Sequence, residues 1–311
     1  MDDPQWPRAS AWLAGGGAAR DDAPLLAVLG APLSQASISP SQAHLTPDAI
    51  RRALHRYSTL AARAGGATVA LDEIAVADLG DLDLSGLDSA DAQALVAAGV
   101  AETEGTGLPR QPDLLVLLGG DNSITRPAMD AAVTALPDAG LLTLDAHHDV
   151  RDLAAGPSNG TPVRGLIEDG VPGEAVVQIG IGMFTNSPEY RRYCHDHGIA
   201  VVTAADARRE GVGECVRRNL DSLAARCAEL YVDLDVDVLD AAYAPGCPGA
   251  RPGGLAPWEL VDAAFVAGAH PKVVALDIVE VDAGADPDGR TVDVAAQCLL
   301  AAAAGLATRR R

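Results

Sequence analysis

The chain has 311 residues, of which 48% are hydrophobic, and it carries a net charge of −20 at pH 7. So acidic a chain is not expected to bind nucleic acid or an anionic membrane, because both repel negative charge. Five cysteines form no CxxC pair, the N-terminus lacks a long apolar core, and no apolar run reaches about 18 residues, so we expect a cytoplasmic protein with free thiols.

The order of predicted elements indicates the fold class. Residues 1–23 are rich in Gly, Ala and Asp and are predicted to form a flexible N-terminal arm. The first helix is predicted to begin at Thr46, Pro47 and Asp48, which supply an N-cap, a first-turn proline and a first-turn acid. Strands are predicted at residues 25–30, 74–79, 114–118, 141–144, 176–179, 201–203, 230–237 and 273–278. Helices are predicted at residues 48–60, 89–100, 188–195, 212–225, 257–266 and 292–306, with shorter ones after residues 123 and 165.

This alternation of strands and helices predicts a parallel sheet that is covered on both faces. We therefore expect a three-layer α/β/α fold with a central, mostly parallel sheet. The chain shows no linker and no internal repeat, so residues 24–311 are predicted to form a single domain.

The strand at residues 141–144 runs directly into the polar sequence DAHHD. Asp145, His147 and Asp149 are two residues apart, so an extended backbone would point them to one side. Two carboxylates and an imidazole form a ligand set that suits Mn, Zn or Fe(II). A polar surface turn is the alternative interpretation of this stretch.

A second acidic cluster follows the strand at residues 230–237. Asp233, Asp235 and Asp237 alternate with apolar residues, and three carboxylates on one face would repel each other in a dry site. A multivalent cation would compensate their charge. A calcium loop is disfavoured because valine and leucine separate the acids, which leaves a solvated acidic edge as the alternative.

Polar residues recur at the ends of other predicted strands, in GGDNS, in SNGTP and around Glu280. In a parallel sheet these ends converge on one edge, where ligands bind. Asn122 is a candidate neutral oxygen ligand or a helix cap. The long polar loop at residues 34–47 is a candidate functional loop, and the Pro/Gly-rich loop at residues 245–253 is either a connector or a pocket wall.

Four motifs in this order resemble the ureohydrolase superfamily of arginase, agmatinase and formimidoylglutamase. They are GGDNS at 119–123, DAHHD at 145–149, DVDVLDAAYAPG at 235–246 and DIVEVD at 277–282, and the resemblance extends over about residues 25–306. It implies a single α/β domain with two Mn(II) ions per subunit at the strand ends. It also implies assembly into homotrimers or hexamers and a small amidine or guanidine substrate.

Carried over by position, the resemblance assigns roles to individual residues. Asp145 and Asp235 would bridge the two metals. Asp149, which would also orient the attacking water, would complete one ion with Asn122, and Glu280 would bind the cationic head of the substrate. The predicted metal ligands are Asn122, Asp145, His147, Asp149, Asp235 and Asp237, of which His147 and Asp237 complete the second ion.

Two residues depart from the family pattern. Asn122 stands where the family usually has histidine, and an amide oxygen is a weaker ligand than imidazole, so one metal is expected to bind more weakly. Asn159 stands where arginase has a proton-shuttling histidine. The shuttle role is therefore open, with His148 and bulk water as candidates, and Asn159 is assigned to substrate binding.

Arg151 and Arg164 lie just beyond two of the motifs and predict an anionic substrate. Pairing of both with the nearby Asp152, Glu168 or Asp169 is the alternative. The DxR and GTPxR patterns look most like formimidoylglutamase, which implies hydrolysis of N-formimidoyl-L-glutamate to L-glutamate and formamide in histidine degradation. An arginase, an agmatinase, an N-hydroxyarginine hydrolase or a non-catalytic relative remains an alternative.

Overall fold

A computed structural model describes residues 3, 5–16, 22–104, 108 and 110–309. Eight of its strands form one parallel sheet in the order β4-β1-β5-β10-β9-β6-β7-β8, and β2 and β3 form a separate antiparallel pair. The strands are β1 Leu25–Ala31, β2 Leu60–Ala62, β3 Thr68–Ala70, β4 Ala75–Asp81, β5 Leu114–Gly119, β6 Ala139–Leu144, β7 Val176–Ile181, β8 Ala200–Thr203, β9 Glu229–Asp235 and β10 Val273–Val279.

The helices cover this sheet. They are α1 Ala9–Ala11, α2 Thr46–Ala53, α3 Ser89–Ala101, α4 Thr125–Ala132, α5 Pro162–Asp169, α6 Pro188–Asp196, α7 Ala204–Glu210, α8 Val212–Ala224, α9 Pro257–Ala269 and α10 Arg290–Ala307. Helices α2, α8, α9 and α10 pack in one group, and α3, α4 and α5 pack in another. Every residue of β5, β6 and β7 is buried, as expected of parallel strands with both faces covered. The predicted three-layer α/β/α fold is thereby confirmed.

Several elements differ from the sequence prediction. Helix α2 ends at Ala53 and continues only as a 3-10 turn, Leu54–Arg56, because residues 60–70 form the β2–β3 hairpin around Gly65 and Gly66. Both glycines have positive φ, the backbone conformation that a tight turn requires, so this pair is the signal that the prediction missed. Helix α7 was also not predicted.

Part of the N-terminal segment, which was expected to form a flexible arm, packs against the core. Ala9, Trp12 and Leu13 are buried in the core, and the Ala9 amide donates to the carbonyl of Tyr57 at 2.9 Å. The prediction relied on the Gly- and Ala-rich composition of the segment. It overlooked Trp12 and Leu13, two large apolar side chains that pack in the core. Residues 1, 2, 4 and 17–21 of the predicted arm lie outside the described residues.

Helix α10 is the one helix, among those described, that is long and apolar enough to cross a membrane. It packs against α9 and α2, and 67% of it is buried inside the protein. These contacts are those of a core helix.

The burial of Trp12 leads to a prediction for stability. Trp12→Ala should lower the free energy of unfolding by about 3–5 kcal/mol, because it opens a cavity in the core. The matched control is Trp6→Ala, since Trp6 is 49% exposed, and it should change that energy by less than about 0.5 kcal/mol. Urea unfolding followed by circular dichroism measures both, and equal effects would show that the segment is not part of the core.

Candidate metal centre and substrate pocket

Four adjacent strands in the middle of the sheet, β5, β10, β9 and β6, run parallel and end at the same edge. Asn122 follows β5, Glu280 follows β10, Asp237 follows β9, and the DAHHD motif follows β6. The topology therefore brings together motifs that are more than 100 residues apart in the sequence. For example, Nδ2 of Asn122 lies 3.1 Å from Oδ2 of Asp235.

The backbone at this edge is tightly constrained. Asp149 has φ 48° and Glu280 has φ 63°. Residues other than glycine rarely adopt such positive φ angles. The Glu280 amide donates to the carbonyl of Gly120 at 2.9 Å. A Cβ at Gly120 would lie 1.7 Å from the carbonyl oxygen of Leu33, so only glycine lets the two loops pass this closely. Strained positions of this kind cluster at functional sites.

Two groups of side chains each bring three potential metal-ligating atoms within 4.8 Å of one another. The first group is Asp145, Asp149 and Asp235, and the second is Asp145, His147 and Asp237. Asp145 belongs to both groups, which agrees with its expected bridging position. Asp235 belongs to the first only, and its bridging of both ions stays a prediction.

His147 and Asp237 form a close ion pair. The His147 Nδ1 lies 2.6 Å from Asp237 Oδ2 and 3.5 Å from Asp145 Oδ1. Burial acts to lower the pKa of His147, but the charges of Asp237 and Asp145 outweigh it and raise this pKa to about 12. Burial acts to raise the pKa of Asp237, and the positive charge of His147 outweighs it and lowers that pKa below its ordinary value.

The pKa values of the other acids of the cluster are raised above their ordinary values. Burial, together with the charge of Asp237, raises the pKa of Asp145 to about 7. Burial and the charge of Asp145 raise the pKa of Asp149 well above its ordinary value, and burial with Asp237 does the same for Asp235. Carboxylates crowded in a dry site need a compensating cation. With one imidazole among so many carboxylates, the set suits a borderline-hard divalent ion such as Mn²⁺.

Asn122 lies beside the first group, where the sequence analysis expects a ligand. Its side-chain Nδ2 donates to Asp149 Oδ2 at 2.8 Å and to Asp235 Oδ2 at 3.1 Å. Its Oδ1 accepts from the hydroxyl of Thr125 at 2.6 Å.

A cavity of about 180 Å³ opens above these acids, and Glu280 and Asn159 both line it. Glu280 Oε1 accepts from the backbone N–H of Asn122 at 2.8 Å and from Asn159 Nδ2 at 3.1 Å. Burial raises the pKa of Glu280 to about 8. Asn159 Oδ1 accepts from the Ile38 amide at 3.0 Å, so Asn159 also ties the long polar loop to the site. That loop supplies Ser37, Ile38, Ser39 and Ser41 to the cavity wall.

His148 does not reach the cavity, contrary to the expected catalytic role. Its ring is 1% exposed, and its Nδ1 lies 2.6 Å from Oε1 of Gln178 on β7. Burial lowers the pKa of His148. The side chain is instead buried inside the protein, where it contacts Gln178.

Arg164 also differs from the expected substrate-binding role. Its Nε donates to Glu168 at 2.9 Å, its Nη2 lies 3.6 Å from Asp152, and its guanidinium lies over the ring of Tyr193 at 5.2 Å. It is not among the residues that line the cavity. The alternative interpretation, pairing with nearby acids on the surface, is the one that the structure supports.

Arg151 lines the cavity as expected, and it is joined there by Arg251, which the sequence analysis did not single out. Arg251 Nη1 donates to the carbonyls of Pro248, Gly249 and Ala250 at 2.9, 3.1 and 2.8 Å. The Pro/Gly-rich loop is thus a pocket wall and not merely a connector. Choosing the wall interpretation from the sequence would have made Arg251, which lies in this loop, a candidate for substrate binding. The cavity also includes Thr185, Asn186 and Tyr190.

Comparison with known proteins identifies the family. The sequence model of the Arginase family matches residues 25–305. Formimidoylglutamase of Halalkalibacterium halodurans is 38% identical over 88% of this chain and 84% of its own length, and the mitochondrial agmatinase of Gallus gallus is 30% identical over 88% and 78%. The crystal structure of formimidoylglutamase from Bacillus subtilis superposes with a TM-score of 0.88 at 30% identity, covering 100% of this chain and 95% of that one.

The chain belongs to the arginase family, and the resemblance that its motifs carry is confirmed. Within that family, formimidoylglutamases from three organisms match it at 35–38% identity.

The raised pKa values lead to a prediction for metal binding. Ligands must lose their protons to bind Mn²⁺, so binding should release protons and the apparent affinity should rise between pH 6 and pH 8. The sign follows from Asp145, whose pKa of about 7 leaves it mostly protonated at pH 6 and mostly ionised at pH 8.

Calorimetric titration with Mn²⁺ in two buffers of different ionisation enthalpy counts the released protons. His147 should contribute one proton at both pH values, because its pKa is about 12, and Asp145 should add to the count mainly at pH 6. An equal proton count at both pH values, with an unchanged affinity, would contradict this description of the cluster.

Proposed function

We propose that this protein hydrolyses N-formimidoyl-L-glutamate to L-glutamate and formamide, using two Mn²⁺ ions per subunit. The observation that carries the proposal is one cavity that combines the acidic cluster, Glu280 and two arginines. An amidine head, a water-activating centre and two carboxylate contacts are what this substrate requires. The formimidoylglutamases among the relatives support the same choice.

Six side chains would hold the metals in this proposal. Asp145, Asp235, Asp149 and Asn122 would hold one ion, and Asp145, Asp235, His147 and Asp237 the other. When bound, the ions supply Lewis-acid activation of water at neutral pH. Asp149 is the acid of this set that is half-buried at the cavity, and its remaining lone pairs are positioned to accept a hydrogen bond from the attacking water.

Glu280 would bind the amidinium head of the substrate. Its Oε1 accepts hydrogen bonds from the backbone N–H of Asn122 and from Asn159 Nδ2. These two bonds fix the carboxyl group within the cavity wall. An arriving cation favours the ionised carboxylate, so amidinium binding should lower the pKa of Glu280 from its value of about 8. This contact also distinguishes a cationic amidine from a neutral amide.

Arg151 and Arg251 would bind the two substrate carboxylates. Arg151 packs against Gly160, where a Cβ would lie 2.5 Å from Arg151 Cδ, and this close approach directs its side chain along the cavity wall. In the part of the chain that the structure describes, neither arginine forms a salt bridge with an acid. Both guanidinium groups therefore keep donors for planar carboxylate groups.

We also propose a cytoplasmic location and assembly into a homotrimer or hexamer. All five cysteines are free and buried, which suits a reducing compartment. The acidic surface charge gives no support to a nucleic acid or an anionic membrane as a partner.

The first prediction from this proposal concerns substrate selection. Arg151→Ala and Arg251→Ala should each lower kcat/KM for formimidoylglutamate by roughly ten- to a hundred-fold, mostly through KM, because each removes a charge-assisted contact far from the reacting carbon. Lysine at either position should restore only part of the loss, since it keeps the charge but not the planar fork. Steady-state kinetics measures these effects.

Arg164→Ala is the matched control, because Arg164 is paired with Glu168 and Asp152. It should change kcat/KM by less than about three-fold, which is under 1 kcal/mol in activation free energy. Agmatine, which has no carboxylate, should be a poor substrate of the natural chain and should be indifferent to all three substitutions. Preference for agmatine, arginine or N-hydroxyarginine would replace the proposed substrate.

The second prediction concerns the metals. Asp235→Ala should remove both ions and abolish turnover, because Asp235 bridges the two ions in this proposal. Metal analysis after dialysis against Mn²⁺ counts the ions, and Asp288→Ala, which changes an exposed aspartate, is the control. Near-normal manganese content and activity in Asp235→Ala would contradict the dinuclear centre and leave the non-catalytic alternative.

A further inference from the structure

The side chain of Tyr190, on helix α6, lines the cavity and is half-buried. Its backbone N–H is bonded within the helix cap, but its hydroxyl has no hydrogen bond to any residue that the structure describes. A phenolic hydroxyl can both donate and accept, so Tyr190 keeps a donor that a molecule in the cavity can use.

The other polar side chains on this side of the cavity are used by the fold. Asn186 Oδ1 accepts from the backbone N–H of His148 at 2.8 Å, and its Nδ2 donates to the Ala146 carbonyl and to Thr185 Oγ1 at 3.1 and 2.9 Å. Thr185 Oγ1 in turn donates to the Ala146 carbonyl at 2.6 Å. These bonds use every N–H and O–H hydrogen of the two side chains, which therefore hold the wall in place and have no donor left for a ligand.

The polar loop contributes three serine hydroxyls to the same cavity. Ser37 Oγ donates to Asp121 Oδ2 at 3.4 Å, and Ser41 Oγ accepts from a backbone N–H at 3.1 Å. Ser39 has no hydrogen bond within the described part of the chain, but it is exposed to solvent. Tyr190 differs from Ser39 because its hydroxyl is carried by a half-buried ring on a helix.

The backbone beneath Tyr190 is fixed by the start of helix α6. Ser187 is the N-cap, and its Oγ accepts from the backbone N–H of Tyr190 at 3.2 Å, while Pro188 occupies the first turn. A tyrosine side chain has only two torsions to order, so it makes contacts at a low cost in conformational entropy. A ligand that accepts from this hydroxyl therefore meets a donor that is largely held in place.

The free charges in this region favour an anion as that ligand. Arg151 lines the same cavity and Arg191 follows Tyr190 on α6, and neither side chain has a hydrogen bond or a salt bridge among the residues that the structure describes. Burial lowers the pKa of His148, and the charge of Arg191 lowers it further, so Arg191 lies near the DAHHD loop. A hydroxyl that donates to a carboxylate forms a stronger hydrogen bond than one that donates to a neutral acceptor.

We propose that Tyr190 is a specificity-determining residue, whose hydroxyl donates a hydrogen bond to one of the two substrate carboxylates. That carboxylate is shared with Arg151 or Arg251, which line the same cavity. A carboxylate has about four acceptor positions and a bidentate guanidinium uses two of them, so a neutral donor completes the contact. The inference rests on the proposed function and adds to it a residue that selects a dicarboxylate.

The test is steady-state kinetics of the purified full chain with Mn²⁺. Tyr190→Phe, which removes only the hydroxyl, should lower kcat/KM for formimidoylglutamate by roughly three- to thirty-fold, mostly through KM. Tyr193→Phe is the matched control on the same helix, because Tyr193 stacks on His197, lies beneath Arg164 and is not among the residues that line the cavity. It should change kcat/KM by less than about two-fold.

Binding of L-glutamate gives a readout that does not depend on turnover, because this compound has both carboxylates and no amidine. Calorimetric titration should show that Tyr190→Phe weakens its binding by about the same factor as it raises KM. In a double-mutant cycle, the effect of Tyr190→Phe should shrink in the background of either Arg151→Ala or Arg251→Ala, which identifies the arginine that shares the carboxylate.

An unchanged KM and an unchanged affinity for L-glutamate in a folded Tyr190→Phe variant would overturn the role of Tyr190. A loss confined to kcat, or losses that are additive with both arginine substitutions, would overturn it as well. In each of these cases the natural chain still hydrolyses formimidoylglutamate. A natural chain that does not hydrolyse this substrate, or that prefers agmatine, would instead contradict the proposed function.

Discussion

The structure depends on the burial of negative charge at the carboxyl edge of four central strands. Asp145, Asp235 and Asp237 are each less than 5% exposed, and burial raises the pKa of the first two. A group of acids this dry destabilises the folded chain unless protons or cations compensate it. His147 supplies one positive charge, and divalent cations held by the two candidate ligand groups would supply the rest. The rest of the fold must therefore be stable enough to offset the buried charge at this site.

Much of the fold and of the acidic cluster could be predicted from the sequence, because the relevant signals are local. Apolar runs alternate with helical segments, and each ligand motif is a contiguous stretch after a strand. The same local reasoning, applied consistently, would also have excluded His148. If Asp145, His147 and Asp149 face one side of an extended segment, His148 faces the other side, where it packs against Gln178.

The arginines show where local reasoning stops. Arg164 lies on helix α5, and Glu168 four residues later is its natural i,i+4 partner, so its pairing was readable from the sequence once the helix was placed. Arg251 could not be assigned in this way. It reaches the cavity because isolated bridges, Leu239 with Leu255 and Asp240 with Arg251, fold the Pro/Gly-rich loop back beside the end of β9. That closure depends on contacts that no spacing in the sequence records.

Asn122 connects the two halves of the site. Its side chain contacts Asp149 and Asp235, and its backbone amide donates to Glu280, which Asn159 also holds. A shift of this one residue therefore changes both the acidic cluster and the carboxyl group proposed to bind the substrate head. Because Asn159 in turn holds the Ile38 amide, the polar loop above the cavity belongs to the same hydrogen-bonded unit. Binding at either half is therefore expected to change the hydrogen bonds of the other half, because Asn122 and Glu280 take part in both.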